Sequence, residues 1–348
     1  MRRSAGRGQG FDATTWTILV LAPLVTMVLC VGLGSVAIPP GDTMRVIVHA
    51  VTGQPAPEGI ASAVILPIRL PRVLGVALSG AALSLCGAAM QGLLRNPLAD
   101  GSTLGVSSGA ALGAVVSLAF GVTVPGFPLA GTMGMAMLFA FGSLMLILSL
   151  AYILDRSLAT HSIILIGVIF SMFVSSMMNL VISFAGNRVQ SITFWTMGSL
   201  QNCRYTEVLV LLAALVLLGG VLLSMSRELN SFAVGEDNAR GIGVPVRRVK
   251  LTVLICVSML IGVCVSVGGT IAFVGLVTPH IARLIVGPNH RRLLPASVSF
   301  GMVFLMVADL VARTVLNPRE LNLGVVTSLV GAVLFVALLY WSGRREKA

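Results

Sequence analysis

The chain has 348 residues, of which 56% are hydrophobic and only 10% charged, and its mean hydropathy is +0.99. A water-soluble domain of that length needs far more charge to cover its surface, so a soluble enzyme or carrier is excluded. The formal charge of +11 fits cytoplasmic loops, where the Lys and Arg of membrane proteins accumulate, and not nucleic-acid binding.

Uncharged apolar runs of about 18 residues or more read as membrane-spanning helices. The basic tail, residues 1–13, stays cytoplasmic, and a first span covers about 14–37. That run is too long for a cleaved leader, although Ser35-Val36-Ala37 has the small residues of a cleavage site. Nine more spans follow over about 70–92, 103–120, 130–154, 161–185, 205–226, 250–268, 271–286, 293–314 and 321–342. The expectation is an all-α membrane protein of about ten helices, a single transmembrane domain over 1–348, with 343–348 as a second cytoplasmic tail. On that count sixteen basic residues lie inside, among them Arg95, Arg227, Arg247, Arg248 and Lys250. Seven lie outside: Arg45, Arg69, Arg72, Arg188, Arg204, Arg313 and Arg319. This bias sets the orientation.

Along the chain, "ALSGAALSLCGAAMQGLL" (77–94) is rich in small residues that suit close helix packing, and Asn96-Pro97 turns the chain before the third span. The polar island "GEDNARGIGVPVRRVK" (235–250), within a cytoplasmic loop over 227–249, reads either as a short helix fitting a partner's groove or as a solvated loop. The eighth span follows Gly268-Gly269 and is short, which suits a bend around a pathway or a tight helix contact. Arg-led starts of the second and seventh spans ("RLPRVLGVALSG", "RRVKLTVLICVS") suggest an inverted repeat. Asp309 and Arg313 stand four apart and predict a structural ion pair. Arg69, Arg72 and Arg313 form an outer group that either docks a protein's carboxylates or anchors helix ends.

Nothing in the chain carries catalysis. No G-x-x-x-x-G-K-[ST] loop occurs, His49, His161, His280 and His290 are too scattered for metal spacing, and no nucleophile motif is present. Cys30, Cys86, Cys256 and Cys264 sit in apolar runs as small packing residues, and Cys203 has no evident partner. A transporter is expected, with no cofactor. An ion-coupled carrier is the competing class, disfavoured by the scarcity of acids at membrane depth.

The stretches "RLPRVLGVALSGAALSLCGAAMQGLLRNPLADGSTLGVSSGA", "SITFWTMGSL", "GEDNARGIGVP", "GGTIAFVGLVTPHIARLIVGPNHRRLLPAS" and "ADLVAR…ELNLGVVTSLVGAVLF" together resemble the FecCD-type permeases of ABC importers, from about residue 65 to the C-terminus. The resemblance implies a multi-pass subunit of the bacterial plasma membrane, both termini cytoplasmic, surrounded by lipid. Its partners would be an ATPase subunit, an extracytoplasmic binding protein and a second permease, identical or paralogous. Its cargo would be a metal chelate: a ferric siderophore or haem, with cobalamin as the alternative. It further implies ATPase coupling through Glu236, Ala239, Arg240 and Gly243, and binding-protein docking at Arg69, Arg72 and Arg313. A pathway would run along spans five and ten, with Met172, Ser175, Ser176, Asn179 and Ser183 as its mixed face.

Overall fold

The computed structural model describes residues 11–34, 36–55, 57–124, 130–154 and 160–345. Apolar sequence becomes helix wherever no water reaches the backbone, because only intrahelical hydrogen bonds then satisfy it. The helices are α1 (Ala13–Gly32), α2 (Pro40–Thr52), α3 (Ile60–Leu94), α4 (Val106–Phe120), α5 (Ala130–Leu154), α6 (Thr160–Ser183) and α7 (Val189–Thr196). They continue with α8 (Tyr205–Ser224), α9 (Ser226–Phe232), α10 (Glu236–Gly241), α11 (Val246–Gly268), α12 (Val274–Val286), α13 (His290–Thr314) and α14 (Leu323–Arg345). Among the described residues seven helices are long and apolar enough to cross a membrane, and three shorter apolar ones, α4, α12 and most of α14, complete the set.

Several expected boundaries move. The first span ends at Gly32, and α3 begins ten residues before the expected 70. A π turn at Ile65–Arg69 lets α3 pass Pro67 and Pro71, whose missing N–H groups would otherwise interrupt it. The chain remains helical to Arg345 where a tail was expected at 343, and residues 1–10 and 346–348 of the two tails lie outside the described residues.

α3 and α11 form the buried core. α3 packs against α8, α11, α12 and α13, whereas α11 packs against α3, α4 and α5. Contact between backbones sets the spacing: a Cβ on Gly80 of α3 would collide with the carbonyl of Gly301 on α13, and one on Gly87 with the carbonyl of Gly275 on α12. Small residues thus replace the hydrophobic effect, which draws no helices together in lipid.

The order long, short, long, long occurs twice. Leu70–Leu94 of α3, α4, α5 and α6 have 25, 15, 25 and 24 residues. Helices α11 to α14 have 23, 13, 25 and 23. α3 starts where α13 ends, since Arg72 meets Asp309, and finishes where α13 starts, since Gly92 abuts His290. Its C-terminal neighbour Arg95 lies beside Gly235, just before α10 and close in sequence to the start of α11, so α3 and α11 begin at opposite ends of the bundle.

Replacing Gly301 with Leu is expected to part α3 from α13 at a cost of about 1–3 kcal/mol. The unfolding midpoint of the detergent-solubilised protein should fall by roughly 3–10 °C. Gly142→Ala on α5, where a Cβ meets nothing within 4 Å, should leave the midpoint unchanged.

Candidate functional site

At one end of the bundle a buried charge cluster joins α1, α3 and α13. Asp309 accepts two hydrogen bonds on Oδ1 from Arg72, from Nε at 3.0 Å and Nη2 at 2.9 Å. Arg313 Nε lies 3.0 Å from Oδ2, within ion-pair distance although its N–H is not aimed to donate. Arg72 also donates from Nη1 to Glu320 Oε2 at 2.7 Å. The remaining positive charge falls on the C-terminus of α1, whose last carbonyls have no intrahelical donor and carry the negative end of the helix dipole. Arg313 donates to the carbonyls of Cys30 (3.0 Å) and Leu33 (3.3 Å), and Arg69 to those of Val31 (3.1 Å), Gly32 (3.0 Å) and Val36.

At the other end lies the polar island. α9 is locked to α13: Asn230 Oδ1 accepts from the His290 backbone N–H at 2.8 Å, and Asn230 Nδ2 donates to Asn289 Oδ1 at 2.9 Å. Leu229 and Phe232 are fully buried beneath it. Gly235, at φ 119, then turns the chain into α10, and Gly243, at φ 86, turns it out again. α10 buries Ala239 and joins Glu236 Oε1 to Lys250 Nζ of α11 at 2.6 Å. Its outer side presents Asp237 and Arg240, 3.9 Å apart, flanked by Val234 and Ile242, which are 69% and 71% exposed.

Between the ends, two breaks in the α-helical backbone enter the bundle from opposite sides. The first, 95–105, which includes a 3-10 turn at Gly101–Leu104, brings Gly101 so close that a Cβ there would overlap Ile261, fifteen residues or about 22 Å from the start of α11. The second, 269–273, starts at Gly269 (φ 67), where Gly198, Gly269 and Gly324 allow three backbones to cross. There Ser199 N–H donates to Gly268 O (2.8 Å) and Thr270 Oγ1 to Thr196 O (2.5 Å). It ends at Phe273, packed on Gly331 of α14.

The two segments meet at a cavity of about 220 Å³ lined by Asp100, Ser107, Ser108, Thr270 and Met178. A second cavity, about 290 Å³, lies on the α14 side of Thr270 and Ala272. Nearer the charge cluster a third, about 320 Å³, is lined by Ser191, Gln201, Asn202, Cys203, Glu207 and Asn322. Burial there, and then the Glu207 carboxylate, push the Cys203 thiol up to about 12, which makes it unreactive.

The whole length of this arrangement matches known proteins. The family model for the FecCD transport family matches residues 20–341. The chain belongs to the FecCD transport family.

This FecCD chain is 42% identical to "Uncharacterized ABC transporter permease protein YvrB" of Bacillus subtilis, covering 90% of each chain. It is 34% identical to the cobalamin import system permease protein BtuC of Halobacterium salinarum (97% of this chain, 98% of the relative) and to the molybdate import system permease protein MolB of Haemophilus influenzae (92% and 94%). A solved structure described as an inward-facing conformation of a metal-chelate type ABC transporter superposes with TM-score 0.82 at 31% identity, covering 94% of this chain and 99% of that one. The protein is therefore an ABC importer permease, a multi-pass membrane subunit.

The geometry revises several expectations for this FecCD permease. Arg69, Arg72 and Arg313 do not form an exposed rim: they are 4%, 5% and 2% exposed, and their hydrogen bonds go to Asp309, Glu320 and carbonyls at and just after the end of α1. Arg45, Arg188, Arg204 and Arg319 are the exposed arginines of that end. In the island, Glu236 and Ala239 face their own chain, because buried Lys250 needs a counter-charge, whereas Arg240 and Gly243 are exposed. Met172, Ser175, Ser176, Asn179 and Ser183 all lie exposed along one stripe of α6. Around Gly268-Gly269 the structure contains both a tight glycine crossing and flanking cavities. Glu320 and Asp100 acquire their settings only through residues distant in sequence or a re-entrant loop, and Lys250 only through the turn that folds α10 back onto α11.

Asp309→Ala should leave Arg72 and Arg313 buried without their shared carboxylate and destabilise the fold by about 3–5 kcal/mol. Detergent-solubilised variant protein is expected to lose its monodisperse peak on size-exclusion chromatography, and a Glu320→Gln variant to keep it.

Proposed function

We propose that this FecCD permease carries a bulky metal chelate, a ferric siderophore, haem or cobalamin, whose metal charge is enclosed by its organic ligand. The observation that carries this reading is the pair of open helix faces beside the unwound segment. α6 and α14 expose Met172, Phe173, Leu329, Val333 and Val336, and neither helix has an Asp, Glu, Lys or Arg from Thr160 to Ser183 or from Leu323 to Gly343, the one histidine, His161, standing at the very start of α6. Non-helical backbone at membrane depth persists only where protein or water satisfies it, and Thr270–Ala272 lies between cavities reached from these faces. A second copy or a paralogue packed through α6 and α14 would enclose a pathway without fixed charge. A naked oxyanion would cross it without a counter-ion, at high desolvation cost, whereas a chelate with shielded charge would not. The cobalamin permease among the relatives and the metal-chelate neighbour support this class; the molybdate permease supports the competing one.

In this reading the island end is cytoplasmic, as the basic residues of the island favour, and Val234, Asp237, Arg240 and Ile242 meet the ATPase subunit. The other end receives the binding protein at Arg45, Arg188, Arg204 and Arg319, whose exposed charges complement carboxylates.

Cells lacking the chain and cells regaining it, with the ATPase subunit intact or inactivated, should be compared for uptake of labelled ferric siderophore, haem, cobalamin and molybdate. ATP-dependent uptake of one chelate, restored by the chain, is expected; restored molybdate uptake alone would overturn the cargo class, and uptake indifferent to the ATPase would overturn the partner. Reversing charge at Arg204 and Arg319 should weaken capture of the binding protein by about tenfold or more at low salt. The buried Arg72 offers no such surface, and equal capture by wild type and the reversed variant would remove the docking assignment.

A further inference from the structure

We propose that Glu236 and Lys250 are positioning residues for transport: their ion pair is the stiff link that delivers movement of α10 to α11 and onward to the unwound segment between α6 and α14. The proposal rests on the ATP-driven reading above and names how the island acts within it.

The covalent connection between α10 and α11 is a poor lever. It turns through Gly243 at φ 86 and Pro245 at φ −75 and ψ 74, a glycine joint of low intrinsic stiffness braced by backbone hydrogen bonds from Gly243 N–H to Arg240 O and Val244 N–H to Ala239 O. The side chains span that joint directly, with Nζ and Oε1 2.6 Å apart. The Lys250 side chain is only 2% exposed, and Val246, Val249, Val253 and Leu254 around it are buried. The Glu236 side chain is 27% exposed, but losing this carboxylate would cost the buried Lys250 ammonium a charged partner, so movement of α10 away from α11 alone is resisted.

Stability does not explain why the pair is ionic. Replacing both members of a buried ion pair with uncharged residues of similar size is often neutral or favourable, and an apolar pair would suit the surrounding core. A charged pair supplies a fixed distance and direction, which an apolar contact does not. Ala239, the other inward residue of α10, contributes one methyl group and can slide.

From Lys250 the path is continuous. α11 has 23 residues, about 34 Å, and its packed length ends at Gly268, whose carbonyl accepts from Ser199. The next residue enters the glycine crossing with Gly198 and Gly324, and four residues later Phe273 sits on α14. A displacement applied at the exposed face of α10 therefore arrives where both open faces border the non-helical backbone. Spatial continuity alone does not establish coupling, so the test must separate transport from folding and from assembly.

The experiment uses the full chain, affinity-tagged, purified with the ATPase subunit that it captures and reconstituted with the cargo found above. Glu236→Gln combined with Lys250→Met removes both charges of the pair together. This variant is expected to keep its unfolding midpoint, to capture the ATPase and to hydrolyse ATP within about twofold of wild type, while uptake falls by about tenfold or more. Lys250→Arg, which preserves the pair, should retain uptake within about twofold. Wild-type uptake by the neutral variant would overturn the proposal. So would equal losses in Lys250→Arg and the neutral variant, or a loss of uptake that tracks a fallen midpoint or lost ATPase capture. If the wild-type chain captures no ATPase at all, the ATP-driven reading fails instead, and the two failures are distinguishable.

Discussion

One carboxylate organises an entire end of this bundle. Asp309 stands between Arg72 and Arg313, and those two guanidinium groups reach Glu320 and the C-terminus of α1. Arg69 completes the attachment of α1 through three further carbonyls. Lipid provides neither counter-ions nor hydrogen bonds, so each of these groups must find its partner within the chain. The direction of α3, the seating of α1 and the end of α13 follow from that requirement. The opposite end obeys the same rule with fewer parts, where buried Lys250 brings Glu236 and hence α10 against the core.

The two halves of the chain therefore share more than helix lengths. Each has a long buried helical run, Leu70–Leu94 and α11, whose first turns carry a buried cation, Arg72 in one and Lys250 in the other. Each then interrupts its backbone and resumes with a short helix, and the interruptions meet at the cavity containing Asp100 and Thr270. Direct backbone contact holds α3 against α12 and α13 too closely for sliding. α6 and α14, by contrast, keep open faces beside the two interruptions.

The spans were legible because hydrocarbon imposes a length and a composition on any helix that crosses it. α2 and α7 were not, because helices at the bundle ends obey no such rule. The pair Asp309–Arg313 was legible from its spacing, one helical turn apart. Arg72 was assigned to the surface because its carboxylate partner lies 237 residues away and charge near the end of a span ordinarily faces water. The island was recognisable as a helix on a loop, but which side faces outward depends on Lys250, which composition alone places with the solvated basic residues. Asp100 shows the limit most plainly: a turn after α3 reads as a surface loop, and only the fold returns it to the interior.

The separation of Arg72 from Asp309 also imposes a schedule on biosynthesis. At about 5–20 residues per second, the 237 residues between them take roughly 12–47 seconds to make. Throughout that interval Arg69 and Arg72 are already at the membrane while Asp309 and Glu320 have not yet been synthesised. Their long side chains can hold the charges at the lipid headgroups, but α3 cannot settle to its final depth until α13 arrives. A chain cut short before Asp309 keeps Arg72 in α3 without either of the carboxylates that neutralise it in the finished fold.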